Sequence, residues 1–174
     1  KQAQVIGNSS NHGGSAFQFG SIANATRTNH LDIDGVVVAK NNCNVGTNAW
    51  RPCAVYSTVS GDVIDLRHVT QVNNRLANPP VADFRFNGNE QLRIVNSILI
   101  PDVLSSNLIF GSYVAGTLDC NLYSRGTLGS RPLSGTARFV DAAANDYRAQ
   151  SAPGLIPAMP ASWVSQTPGT AIHC

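Results

Sequence analysis

Residues 62–74 read Asp-Val-Ile-Asp-Leu-Arg-His-Val-Thr-Gln-Val-Asn-Asn. Apolar and polar side chains alternate through Ile64-Asp65-Leu66-Arg67, and a second short apolar-rich run spans Val69 to Val72. A period of two marks a half-buried strand. The closing asparagines suit a corner, because Asn tolerates the left-handed backbone. The same design lies on either side, in residues 30–42 (HLDIDGVVVAKNN) and 91–102 (QLRIVNSILIPD). His68 stands where Gly35 and Asn96 stand in the neighbouring stretches, so it is expected at a corner, hydrogen-bonded to backbone.

Laid over one another, the runs form three series. Leu31-Asp32-Ile33-Asp34, Ile64-Asp65-Leu66-Arg67, Leu92-Arg93-Ile94-Val95 and Leu118-Asp119-Cys120-Asn121 start 33, 28 and 26 residues apart. Phe17-Gln18-Phe19, Val55-Tyr56-Ser57, Phe84-Arg85-Phe86 and Leu108-Ile109-Phe110 precede them. Val36-Val37-Val38, Val69-Thr70-Gln71-Val72 and Ile98-Leu99-Ile100 follow. Three short strands per repeat at this spacing predict an all-β solenoid of about four coils, with inward residues stacked from coil to coil. An antiparallel sandwich would need tight hairpin signals, and Phe86-Asn87-Gly88-Asn89 alone is of that kind. Residues 1–140 are expected to form the coils and 141–174 a capping segment and an extended C-terminal strap that buries Trp163.

Composition agrees. The chain has 174 residues and 18.4 kDa, enough for one domain with a core. Charged residues are 13% against about 25% in an average domain, and hydrophobic residues are 43%, which argues against disorder. Asn occurs 17 times and Glu once, at Glu90, a poor mixture for helices. Ten of the 12 basic residues are Arg, the net charge is +2, and no basic block stands out. Nucleic acid is therefore not an expected partner. No apolar run approaches the roughly 20 residues of a membrane span.

The four cysteines, Cys43, Cys53, Cys120 and Cys174, suit two disulfides. Cys43–Cys53 would close a short Trp/Pro loop around Trp50, and Cys120–Cys174 would tie the tail down. Three pairings are open, and free core thiols or a metal are the alternatives. Sequons at Asn8 and Asn24 are candidate glycosylation points. Lys1 runs directly into strand-like sequence, as in a mature or excised piece of a longer chain.

The coil stretches quoted above resemble secreted right-handed parallel β-helix proteins of the pectate-lyase-like group. Residues 118–126 (LDCNLYSRG) and 136–156 (TARFVDAAANDYRAQSAPGLI) are similar to segments that follow the last full coils in that group. The likeness covers roughly residues 16–156. It departs at Ser151-Ala152-Pro153-Gly154-Leu155-Ile156, where the group continues Gly-Ser-Pro-Ala-Ile-Asp. Four coils are few for the group, so the chain looks like its C-terminal portion, with an N-terminal part supplied elsewhere. The resemblance implies a right-handed parallel β-helix, an extracellular location and contact with polysaccharide.

Outward residues of stacked strands make ladders about 4.8 Å apart. One expected ladder is Asp32, Asp65, Arg93, Asp119; beside it stands Asp34, Arg67, Val95, Asn121; the preceding strand carries Gln18, Tyr56, Arg85, Ile109. Tyr56, Arg67, Arg85, Arg93, Asp65 and Asp119 are the candidate sugar contacts, through stacking and bidentate hydrogen bonds. Mutual pairing of these charges, which keeps the rod soluble, is the plainer reading. Lyases of the group use Arg or Lys as base, often with Ca²⁺. Arg67 or Lys40 would then be the base, and Asp32, Asp34 and Asp65 would hold the ion. The expected approach of Arg67 to Asp34 speaks against that ion. The group's hydrolase motifs are absent. The primary expectation is thus a non-catalytic, polysaccharide-contacting module without a cofactor. Its alternatives are an assembly protein stacking through open coil ends and a polysaccharide lyase.

Overall fold

The computed structural model describes residues 3–10, 16–19, 29–43, 55–57, 61–76, 82–86, 89–101, 107–111, 113–125, 128–132 and 137–149. Every regular element among them is a strand. β1 (Ala3–Ile6) and β2 (Ser9–Ser10) come first. β3 (Phe17–Phe19), β4 (His30–Asp34), β5 (Val36–Ala39) and β6 (Asn42–Cys43) make one pass. β7 (Val55–Ser57), β8 (Val63–Arg67), β9 (Thr70–Val72) and β10 (Arg75–Leu76) make the next. β11 (Ala82–Arg85), β12 (Glu90–Val95) and β13 (Ile98–Ile100) follow, then β14 (Asn107–Phe110), β15 (Tyr113–Asp119) and β16 (Leu122–Tyr123). β17 (Phe139–Asp141) and β18 (Asp146–Ala149) form a hairpin.

The passes that begin with β3, β7, β11 and β14 each contribute one strand to the first three sheets in turn. The first sheet has the order β3-β7-β11-β14, the second β4-β8-β12-β15, the third β1-β5-β9-β13-β16 and the fourth β2-β6-β10. All pairings in these four sheets are parallel. The antiparallel sandwich is therefore set aside, and the stacked parallel sheets are compatible with a β-helix. No described helix is long and apolar enough to cross a membrane.

The period-two alternation explains the packing. Leu31 and Ile33 lie in register with Ile64 and Leu66, and these with Leu92 and Ile94. Ile64, Leu66, Leu92 and Ile94 are fully buried in one core with Phe84, Phe86, Val38 and Leu99. Full burial of such a side chain contributes about 1.5–3 kcal/mol. Gln71 is the exception. It stands in register between Val38 and Leu99, is 0% exposed, and neither of its amide atoms has a hydrogen-bond partner.

Two corners repeat. Gly35, His68, Asn96 and Cys120 follow one another with φ of 66°, 51°, 53° and 54°. Gly7, Lys40 and Asn73 do so at the other corner with φ of 70°, 54° and 47°. At this second corner the left-handed residue is Lys40 or Asn73, while Asn41 and Asn74 do a different job from the one expected. Asn74 Oδ1 accepts from the backbone N–H and the amide of Asn41 at 3.1 and 2.9 Å, and its own amide donates to the Val38 carbonyl at 3.2 Å. Asn41 Oδ1 takes the same two bonds from Asn8 at 3.0 Å each. Ser97 and Asn121 continue this logic at the first corner: Asn121 Oδ1 accepts from the Ser97 N–H at 3.1 Å. Buried side chains thus satisfy backbone groups at the bends, where sheet bonding stops.

The last pass departs from the expected alignment. Ala115, not Leu118, faces Leu92, and Leu118 faces Ile94 across a register shift. A bulge absorbs the extra residue, which returns Leu118 to the core side. Phe84 likewise faces Ile109 rather than Leu108. Cys120 and Asn121 are corner residues rather than part of the strand.

The outer face of the third sheet is also apolar. The hairpin covers it: Tyr147, Phe139 and Ala142 pack on Val37, Ala39 and Val72, and Phe139 also on Ile98 and Leu122. The expected boundary at residue 140/141 falls inside β17. Cys120 is disulfide-bonded and 1% exposed. The strap of residues 157–174 with Trp163 and Cys174, and Trp50, Cys53 and Asn24, lie outside the described residues.

Candidate functional site

The second sheet turns its polar positions outward. Asp32, Asp65 and Arg93 are in register, as are Asp34, Arg67 and Val95. The expected ladders hold over these three strands. They fail at the fourth, because the bulge shifts Asp119 beside Val95 and removes it from the Arg93 ladder. Asn121 leaves the second ladder altogether and is buried at the corner.

Arg67 is the centre of the site. Its Nη2 donates to both carboxylate oxygens of Asp32, at 2.7 and 2.9 Å. Its Nε reaches Asp34 at 3.4 Å and its Nη1 reaches Asp65 at 3.5 Å. The Asp32 hydrogen bond, with the charges of all three carboxylates, pushes the Arg67 guanidinium pKa up. A guanidinium held this firmly in its charged form is a poor proton acceptor, which speaks against Arg67 as a lyase base. The same contacts decide the Ca²⁺ expectation. Each of Asp32, Asp34 and Asp65 is already bonded to Arg67, which sits where an ion would need to be. No group of three ligating side chains among the described residues is placed to hold a metal.

Asp65 lies beneath the two arginines. Its side chain is 3% exposed, Oδ2 also accepts from Arg93 Nη1 at 3.2 Å, and Oδ1 has no partner. Alternation had marked it as outward and exposed; the flanking guanidinium groups bury it. Arg93 is 48% exposed at its side chain and uses only Nη1. Its remaining N–H donors have no hydrogen-bond partner among the described residues.

His68 donates through Nδ1 to Asp34 Oδ1 at 2.8 Å, and Asn96 Nδ2 lies 3.5 Å from its Nε2. Its corner position is as expected, its backbone N–H donates to the Val95 carbonyl at 3.2 Å, and its side chain pairs with a carboxylate. Burial pushes the Asp34 carboxyl up; the His68 hydrogen bond and the charges of His68 and Arg67 outweigh it and hold it below the ordinary range.

Asp119 is tied by Arg131, which donates through Nε at 3.1 Å and through Nη2. Ser130 adds a hydroxyl bond at 3.3 Å. The Arg131 hydrogen bond holds the Asp119 carboxyl low. Nothing in the repeat spacing marks Arg131, because Ser130 joins the sheet by a single bridge to Asp119.

Three candidates are elsewhere. Lys40 Nζ donates to the carbonyls of Ala142 and Ala143 at 2.9 and 3.4 Å and to Asn145 Oδ1 at 2.8 Å. It also stands 5.9 Å from the Tyr147 ring centroid. It therefore anchors the hairpin and takes no part in the acidic cluster. Tyr56 and Arg85 are register partners on the first sheet, and Arg85 faces Phe110 rather than Ile109. Their side chains lie outside the described residues. No protein-family model, no curated protein and no solved structure matches the chain.

Proposed function

We propose that this chain is a secreted right-handed parallel β-helix module, similar to the pectate-lyase-like group, that contacts polysaccharide on the outer face of its second sheet without catalysis. The observation that carries the reading is the half-exposed Arg93. It is held on one side by a buried carboxylate, and its other donors have no partner among the described residues, in a row of polar side chains. Arg and Asp so arranged offer charge-assisted hydrogen bonds to hydroxyl and carboxylate groups repeated along a sugar chain. A binding role is favoured over a lyase role because Arg67 and Lys40 are both committed to structural contacts. Cys120–Cys174 and Cys43–Cys53 disulfides belong to this reading as proposals.

Electrophoresis through gels containing neutral or uronic-acid polysaccharides tests it. At least one gel should retard the native chain, and Arg93→Ala should weaken that retardation roughly tenfold, the loss of one charge-assisted contact. Unchanged mobility in every gel would sink the proposal.

A further inference from the structure

β15 leaves its register opposite Arg93. Ala115 faces Leu92 and Leu118 faces Ile94, so Gly116 and Thr117 both stand against the single residue Arg93. A bulge re-aims the side chains beside it. Gly116 differs from the other described glycines. Gly7, Gly35, Gly61, Gly111 and Gly129 all have positive φ, which favours glycine whatever the space around it. The φ of Gly116 is not positive, so its backbone conformation does not call for glycine. The space around it does. A methyl group on Gly116 would stand 2.8 Å from Arg93 Cγ and 3.6 Å from Arg93 Cδ. Non-bonded carbons settle at about 3.5–4.0 Å. The Leu92 carbonyl oxygen would lie 3.1 Å away. The stem of Arg93 therefore fills the place that a side chain at position 116 would take.

We infer that Gly116 is the positioning residue for Arg93. A half-exposed arginine has many rotamers, and fixing one of them costs entropy. Here the side chain is held at two points. Its methylenes rest in the place left open by Gly116, and its Nη1 donates to Asp65 Oδ2 at 3.2 Å. The ordering cost then falls on folding rather than on binding, which is how a preorganised contact gains affinity. A side chain at position 116 would lift the methylenes off β15 and turn the guanidinium away from its present direction. The use of Arg93 in sugar contact rests on the reading proposed above. The seat under Arg93 does not depend on it.

A double-mutant cycle tests the inference, with the native chain, Gly116→Ala, Arg93→Ala and the two substitutions combined. Urea midpoints and retardation in the polysaccharide gels are read on the same four proteins. With Arg93 present, Gly116→Ala should lower the midpoint at unchanged slope and weaken retardation about threefold. In the Arg93→Ala background it should do neither. The midpoint there should rise slightly, because alanine narrows the unfolded ensemble relative to glycine. Should Gly116→Ala alone fail to fold, a folded combined variant supports the seat and an unfolded one overturns it. An equal loss of midpoint in both backgrounds also overturns it, since the Leu92 carbonyl would then be what excludes the methyl group. So does retardation that Arg93→Ala weakens and Gly116→Ala leaves untouched. Coupled midpoints with no retardation in any gel would remove the polysaccharide reading and leave the seat standing.

Discussion

Gln71 carries two polar atoms into a column of apolar side chains and satisfies neither. A buried amide without partners costs about 1–3 kcal/mol relative to a satisfied one, and an apolar replacement of similar shape removes that cost. Gln71→Leu should therefore stabilise the chain by about 1 kcal/mol or more, read as a higher urea midpoint at unchanged slope. The inward direction of Gln71 was hard to read from the sequence. Thr70-Gln71-Val72 invites the apolar Val72 inward, whereas the hairpin buries Val72 on the opposite face. Residue type reports burial, and in a sheet covered on both sides it does not report which side. His68, in contrast, was legible from its place between Gly35 and Asn96, because a corner recurs at the same point of every pass.

Among the elements, the parallel pairings of β4, β8 and β12 follow directly from alternation with charged outward positions. Slipping such a strand by one residue would put Asp or Arg into the core. β15 lacked that safeguard. Val114-Ala115-Gly116-Thr117 offers no charge to mark the outward side, and Gly116, a residue common at bulges, is the one sign of the irregularity. The corners were legible as positions but not as devices: the asparagines there bond the backbone of the pass before. Asn74→Ala would orphan the buried Asn41 N–H and take one hydrogen bond from the Val38 carbonyl. The expected loss is about 3 kcal/mol, measurable by urea unfolding. Asn74→Asp, which keeps the acceptor, should lose less.

For the whole molecule, the charged face has a pH signature. Asp34 and Asp119 both have folded-state carboxyls held below the ordinary range. A lowered carboxyl contributes stability that is present above the unfolded value and is lost as pH falls through the folded value. The melting temperature should thus be level near neutrality and fall below about pH 4. Asp34→Asn and Asp119→Asn should each shallow that fall, as thermal melts at stepped pH would show. The architecture of this face was readable from three aligned runs. So was the approach of Arg67 to Asp34; the Asp119–Arg131 pair was not, because Arg131 arrives from a segment outside the repeat, nor was the burial of Asp65.

The hairpin has a consequence for how the molecule comes apart. A stack of similar passes tends to open piecemeal from its ends, since each layer is held only by its neighbours. Here Phe139, Tyr147 and Ala142 share apolar clusters with Ile6, Val37, Val72, Ile100 and Leu122, which stand in layers from β1 to β16. Lys40 fastens the hairpin's turn from the side. The pair of strands acts as a splint. Fraying one layer loosens the splint on all the others, so the free energy of opening is shared and the passes melt together as one cooperative unit.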